Sequence, residues 1–262
     1  MGILNVTPDS FSDGGEFSGV EAAIARAKEM LDEGAGIIDI GGESTRPGSE
    51  PVPSEEEIER VVPVVRGILA ERPGTTISVD TYHAATAEAA LEAGARIIND
   101  VSALRADERM VEVVARAGCP VVLMHMLGEP KTMQQEPRYD DVADEVRRFL
   151  SERAEAAVSA GVDPENVILD PGIGFGKTSE HNLALIESLD AIADLGYPLL
   201  FGASRKRFIG SISGIEDASE RVFGTVATSV LAYERGASIF RVHDVRANRE
   251  ALEVAAAVSS AS

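Results

Sequence analysis

Four side chains in this sequence have the types and placement to hold a flat nitrogen heterocycle. Asp80, Asn99 and Asp170 each close an apolar run, and Lys206 follows Ala203-Ser204-Arg205. Compact carboxylates and an amide suit a ring that carries an amide-like edge and an exocyclic amine, and a lysine can donate to the ring's carbonyl or nitrogen. A second set is cationic: Arg46, Arg205, Arg241 and His243. Guanidinium forks match phosphate oxygens. Asn5 offers a neutral oxygen to Mg²⁺, an ion that keeps its waters and binds substrate phosphates. Together the two sets describe a site for an anionic, pyrophosphorylated small molecule. Each member alone has a plainer reading. An Asp at the end of a strand can simply cap a turn, and an isolated Arg is commonly a solvated surface charge. The convergence of all of them outweighs those readings.

The glycine-rich stretch Asp170-Pro171-Gly172-Ile173-Gly174-Phe175-Gly176-Lys177 invites a phosphate-loop reading, but fails it. Gly176-Lys177-Thr178 matches the end of such a loop, while its first glycine falls on Pro171. A dinucleotide fingerprint starting at Gly172 needs glycine where Lys177 stands. A tight loop with left-handed backbone is the plain alternative. His83, His125, His181 and His243 lack metal-ligand spacing, so no catalytic zinc is expected. His83 and His181 read as surface residues near helix starts, and His125 as a support for a strand end. No Gly-x-Ser-x-Gly elbow occurs, and the single cysteine, Cys119, precedes an apolar run as buried filler.

These residues need elements that bring them together. A pattern of glycine, short spacer and apolar burst recurs at Gly34–Ile38, Gly94–Ile98, Gly118–Val122, Gly196–Leu200 and Gly236–Phe240, with Gly74 and Gly161 in comparable places. Helices that end on glycine and feed buried parallel strands look like this. Between the bursts run apolar positions at three- and four-residue spacing: Val20, Ala23, Ile24, Ala27, Met30 and Leu31, then Ile58 through Leu69, opened by a capping box at Ser54 and Glu57. Val142, Val146, Phe149 and Leu150 form another stripe, and Val222, Phe223, Val226, Val230 and Leu231 a fourth, fit for the molecule's own core or for a partner. Shorter or alanine-rich helices are expected over 84–93, 108–117, 180–193 and 246–258. Strands are expected near 2–5, 36–40, 76–80, 96–99, 120–124, 166–170, 198–202 and 238–242, each followed by a helix. Eight βα units in about 250 residues predict an α/β (β/α)8 TIM barrel of eight parallel strands, with the site at their carboxyl-terminal ends. An open doubly wound sheet is the alternative that the count of eight disfavours. No linker divides the chain, so residues 1–262 read as one barrel domain. The first strand starts at Gly2, which leaves either a barrel floor without an N-terminal cover or a clipped start.

Composition narrows the partners. Forty-four acidic residues against 24 basic ones give a net charge of −20. A field this negative repels nucleic acid and anionic membranes. No apolar run approaches the length of a membrane span. A lone cysteine fits a reducing cytoplasm. The only lysines are Lys28, Lys131, Lys177 and Lys206, and such scarcity beside abundant acid points to a salt-adapted protein.

The segments Asn5–Gly15, Gly41–Gly48, Asp170–Lys177, Ser204–Lys206 and Arg241–Val245 resemble the dihydropteroate synthase family, as do Met124-His125-Met126 and Pro130–Gln134. The resemblance runs in order from Met1 to about Asn248. It implies an enzyme that joins 4-aminobenzoate to 6-hydroxymethyl-7,8-dihydropterin diphosphate, with Mg²⁺, releasing diphosphate. Carried over, it gives the pterin to Asp80, Asn99, Asp170 and Lys206, and the diphosphate to Asn5, Arg46, Arg241 and His243, with Asn5 toward the metal. It gives the aminobenzoate, and competing sulfonamides, to Thr45, Pro47, Phe175 and Ser204. Asp80, Asp170 and Lys206 become the catalytic groups: diphosphate departs first, and the two carboxylates stabilise the resulting pterin cation. Loops 7–19 and 41–53 are expected to close over the diphosphate, and a homodimer built on late helices is implied. A methyltetrahydrofolate-type methyltransferase would share the pterin acceptors but has no use for Arg46, Arg241 and His243 together. A non-catalytic pterin-binding barrel would not need the full set.

Overall fold

The computed structural model describes residues 1–7, 15–44, 49, 51–128 and 131–261. Strands β1 (Gly2–Asn5), β2 (Ile37–Gly41), β3 (Thr76–Asp80), β4 (Ile97–Asp100), β5 (Val121–Met124) and β6 (Val167–Asp170) form one parallel sheet in chain order. β7 (Leu200–Phe201) and β8 (Ile239–Phe240) pair with each other. Parallel bridges Leu169–Leu199 and Gly2–Val242 join that pair to β6 on one side and β1 on the other, closing the ring of eight. At the second seam Ile3 N donates to Val242 O and Val242 N donates to Met1 O, each at 3.0 Å. The last two strands are therefore shorter than the apolar bursts suggested, and single bridges complete the barrel.

Around the ring lie α1 (Gly15–Asp32), α2 (Ser54–Glu71), α3 (Ala84–Ala93), α4 (Met110–Ala117), α5 (Val142–Ser159), α6 (Ser179–Glu187), α7 (Leu189–Ala193), α8 (Arg207–Ser213), α9 (Val222–Glu234) and α10 (Val245–Ser259). Gly94 and Gly118 cap α3 and α4 in left-handed conformation, as the glycine repeat predicts.

Register decides which residues look inward. Ile3, Asp39 and Ser78 are paired neighbours, as are Asn5, Gly41, Asp80 and Asn99, and Met124 with Asp170. Partnered residues in a parallel ladder share a face, so these side chains line the barrel interior. The lower interior is apolar: Ile97, Val122, Ile168 and Leu200 pack with Met1, Ile37 and Ile239. One pleat higher on β2, β4, β6 and β8 stand Asp39, Asn99, Asp170 and Arg241. An even-strand layer of isoleucines (Ile37, Ile97, Ile168, Ile239) thus supports an even-strand layer of polar groups. The alternate residues, among them Ile38, Ile40, Ile77, Val79, Leu123 and Leu169, point outward and are sealed under the helices. Each such side chain contributes roughly 1.5–3 kcal/mol through burial.

One helix departs from expectation and another divides between two alternatives. Ser54 is the first residue of α2 and makes no capping hydrogen bond. Glu57 turns instead into the molecule, 1% exposed, where it accepts from Thr81 Oγ1 at 2.8 Å. On α9 the buried residues are Thr225, Ser229 and Ala232. Phe223 is 83% exposed and Leu231 43%. Ser229 Oγ donates to Asn248 Oδ1 of α10 at 2.8 Å, so small polar residues make the inner seam, with Val222, Val226 and Val230 half-buried and Phe223 and Leu231 turned outward.

Candidate active site

The polar layer and the residues above it form one interlocked cluster at the carboxyl-terminal end of the strands. Arg241, at the end of β8, donates from Nε to Asp39 Oδ2 and from a terminal nitrogen to Asp80 Oδ2, both at 2.6 Å. Asn99 Nδ2 donates to the same Asp39 oxygen at 3.2 Å. Burial raises the Asp80 carboxyl to about 7, with Arg241 partly opposing the rise. For Arg241 burial acts to lower the pKa, but Asp39 and Asp80 outweigh it and the guanidinium is held more firmly charged than usual. Buried oxygens Oδ1 of Asp39 and of Asp80 have no partner among the described residues.

The glycine loop after β6 is explained by close packing. A Cβ on Gly172, at φ +66°, would collide with the His125 carbonyl oxygen at the end of β5. One on Gly174, at φ +82°, would lie 2.9 Å from Lys206 Cδ. Asp170 Oδ1 accepts from Gly172 N at 2.7 Å, which fixes the turn. Burial raises the Asp170 pKa, opposed by Lys206. Lys177 is the pin of this loop. It is 3% exposed and donates to Gly172 O at 2.9 Å and Phe175 O at 3.1 Å, with His125 Nδ1 also at 2.9 Å. Burial brings Lys177 down to about 7 and, with Lys177 beside it, His125 down to about 3. His125 is thus a neutral acceptor that supports the strand end.

Lys206 Nζ donates to Ile173 O and lies 4.6 Å from the centre of the Phe175 ring. Burial lowers it to about 8, with Asp170 resisting. The turn that carries it is stapled: Arg205 sits at φ +60°, donates from its backbone to Thr225 Oγ1 at 3.0 Å, and forks onto Asp244 at 2.9 and 2.6 Å. Arg205, read from sequence as one of the cations, is spent on that carboxylate. Ser204 Oγ and His243 Nδ1 are 2.9 Å apart, and Asn5 and His243 line a common cleft with Arg26.

The structure therefore brings Asp80, Asn99, Asp170, Lys206, Phe175 and Arg241 to one end of the barrel, with Asn5, Ser204 and His243 on the β1–β8 side. Thr45, Arg46 and Pro47 lie outside the described residues, as does part of each expected closing loop. Sequence reasoning passed over Asp39, although a carboxylate inside Ile37-Ile38-Asp39-Ile40 was its signal. It also passed over a buried group beside the site. Glu43 accepts from Tyr82 OH at 2.6 Å and lies 3.6 Å from His83, so His83 is built into the wall rather than free on the surface. His181 likewise completes a capping box with Thr178 at the start of α6.

Comparison with known proteins gives a consistent picture. The family model described as pterin binding enzyme matches residues 1–243. A dihydropteroate synthase from Synechocystis is 49% identical over 258 residues, which is 98% of this chain and 89% of that protein. The Xanthomonas albilineans dihydropteroate synthase solved with 4-aminobenzoic acid superposes with a TM-score of 0.93 at 50% identity, covering 99% of this chain and 92% of that one. The same organism's enzyme in complex with 7,8-dihydropteroate gives 0.89 at 47% identity, covering 99% and 92%.

Proposed function

This chain belongs to the pterin-binding enzyme family as a dihydropteroate synthase, and from that membership we propose how its residues divide the work. The reaction joins 6-hydroxymethyl-7,8-dihydropterin diphosphate and 4-aminobenzoate into 7,8-dihydropteroate and diphosphate. The observation that carries the assignment is the cluster of Asp80, Asn99, Asp170, Lys206 and Arg241 above a closed apolar floor. Asp80, Asn99, Asp170 and Lys206 hold the pterin. Asn5, Arg46, Arg241 and His243 meet the diphosphate. Thr45, Pro47, Phe175 and Ser204 line the aminobenzoate pocket.

The carbon–oxygen bond to diphosphate breaks with its electron pair leaving on the diphosphate. The carbon is left cationic and conjugated with the pterin ring. Asp80 and Asp170, buried and close to that ring, stabilise the positive charge where it develops. The neutral arylamine adds to the carbon and sheds one proton to diphosphate or water, so no strong base on the protein is required. Positioning and electrostatics supply the catalysis, with no covalent enzyme intermediate.

Mg²⁺ is proposed to meet Asn5. Among the described residues no group of three His, Cys, Asp or Glu stands together to enclose a metal. A single amide oxygen fits an ion that keeps several waters and takes the rest of its ligands from substrate phosphates. When bound, the ion would neutralise charge on the leaving diphosphate.

Three broader features complete the proposal: one catalytic barrel over residues 1–262, a cytoplasmic setting adapted to salt, and a homodimer. The dimer reading is supported by the outward apolar residues of the late helices: Ile212 on α8, Phe223 and Leu231 on α9, Val254 and Val258 on α10. Phe223→Glu should shift the protein to monomer in sedimentation; a wild-type monomer would discard this part.

The central test is diphosphate release in high KCl and Mg²⁺. Release should require both pterin diphosphate and aminobenzoate. Release that ignores aminobenzoate, or none at any salt concentration, would overturn the reading.

A further inference from the structure

Asp39 places a carboxylate inside the barrel. It is fully buried (0% exposed) and has an unpartnered oxygen, yet it occupies a layer whose neighbour below is built from isoleucine. Buried ion pairs are weak contributors to stability, and apolar side chains of similar size commonly replace them without loss. Stability therefore does not account for a carboxylate here. Its contacts suggest another reason. Oδ2 of Asp39 receives both Arg241 Nε, at 2.6 Å, and Asn99 Nδ2, at 3.2 Å.

A carboxylate facing an arginine only accepts hydrogen bonds. The Asn99 atom that faces it must then be the amide nitrogen, and this settles an orientation that an amide would otherwise leave open. The amide oxygen is left on the side away from Asp39, as the acceptor that Asn99 can offer a ligand. By the same contact Asp39 takes the Nε edge of Arg241, while Asp80 takes a terminal nitrogen. The guanidinium plane is thereby held between two strands, and Asp80 is left with Oδ1 uncommitted.

We propose that Asp39 is a positioning residue for the pterin subsite, one that presets the amide of Asn99 and the guanidinium of Arg241 without touching the ligand. The proposal rests on the pterin-binding reading above. It makes Asp39 part of the ring specificity: a heterocycle that presents an acceptor where dihydropterin presents a donor meets the Asn99 oxygen and is refused.

The test is calorimetric titration of the full chain with 6-hydroxymethyl-7,8-dihydropterin, which carries no diphosphate, alongside thermal unfolding. Asp39→Val, similar in size but without an acceptor, should weaken pterin binding by about tenfold or more, the usual scale for a misplaced buried hydrogen bond. Asp39→Asn keeps an oxygen that can accept from both partners and should restore affinity to within about threefold. In an Asn99→Ala, Arg241→Ala background the Asp39→Val loss should shrink to about twofold or less, since a residue acting through those two has nothing left to position. Equal losses in both backgrounds, or failure of Asp39→Asn to rescue a folded protein, would overturn the inference. If Asp39→Val does not fold, Asp39→Ser takes its place, being too short to reach both partners. A wild-type chain that binds no pterin would reject the functional reading itself. Wild-type binding that Asp39→Val leaves unchanged would reject only the role of Asp39.

Discussion

Arg241 shows how a charge can serve two purposes at once. Its guanidinium offsets Asp39 and Asp80, and it is also the cation proposed to meet diphosphate. Arg241→Ala would leave two buried carboxylates uncompensated, at a cost of about 3–5 kcal/mol. It should therefore lower Tm and weaken bare pterin as well as diphosphate, whereas sequence reasoning alone would have spared the bare pterin. Titrations with pterin and with pterin diphosphate, beside thermal unfolding, separate the two outcomes. The pH profile follows from two other groups. Asp80, raised to about 7, gains its charge as pH rises, and Lys206, lowered to about 8, loses its charge above that. kcat/KM should climb toward pH 7 and fall beyond pH 8. Lys206→Arg, which stays charged, should move the alkaline limb out of range, and an unmoved limb would assign it to another group. Phe175→Ala removes the ring under Lys206 and should weaken aminobenzoate and sulfonamide by several-fold more than pterin, as competition binding would show.

At the scale of elements, helix starts separate a real cap from an apparent one. Asp141 Oδ1 accepts from Ala143 N at 3.0 Å and Asp144 N at 3.1 Å at the head of α5. Asp141→Ala should cost about 1 kcal/mol in denaturant unfolding, and Ser54→Ala no more than about 0.5. The motif at Ser54 fails because helix begins one residue early and Glu57 finds Thr81 across the barrel top. α9 turns Phe223 and Leu231 outward for a related reason. Its Thr225 supports the Arg205 backbone and its Ser229 meets Asn248, so polar contacts claim the inner face.

Across the whole molecule, the net charge of −20 is a self-repulsion that salt screens. Tm should rise between about 0.1 and about 2 M KCl, a range over which the Debye length falls well below the spacing of surface charges. A Tm that is flat or falling would remove salt adaptation from the account. The site works against this background by collecting its cations, Lys206 and Arg241 among them, at one end of the barrel.

The sequence alone was enough for the architecture and for most of the residues that gather at the carboxyl-terminal end of the barrel. Glycine stops, apolar bursts and helical spacing are local signals, and in a parallel barrel the end of each burst is where function must sit. That is why Asp80, Asn99, Asp170 and Lys206 could be placed at one end of the barrel without coordinates. Only tertiary structure could decide what depends on register and on contacts between distant strands. Asp39 and Arg241 lie 202 positions apart, and their pairing exists because closure sets β8 near β2 in the same interior layer. The fate of Lys177 as a loop pin, of Arg205 as the partner of Asp244, and of Phe223 and Leu231 as outward residues of α9 has the same origin. A side chain's neighbours across the barrel, and hence the work left for it to do, are fixed only when the chain closes.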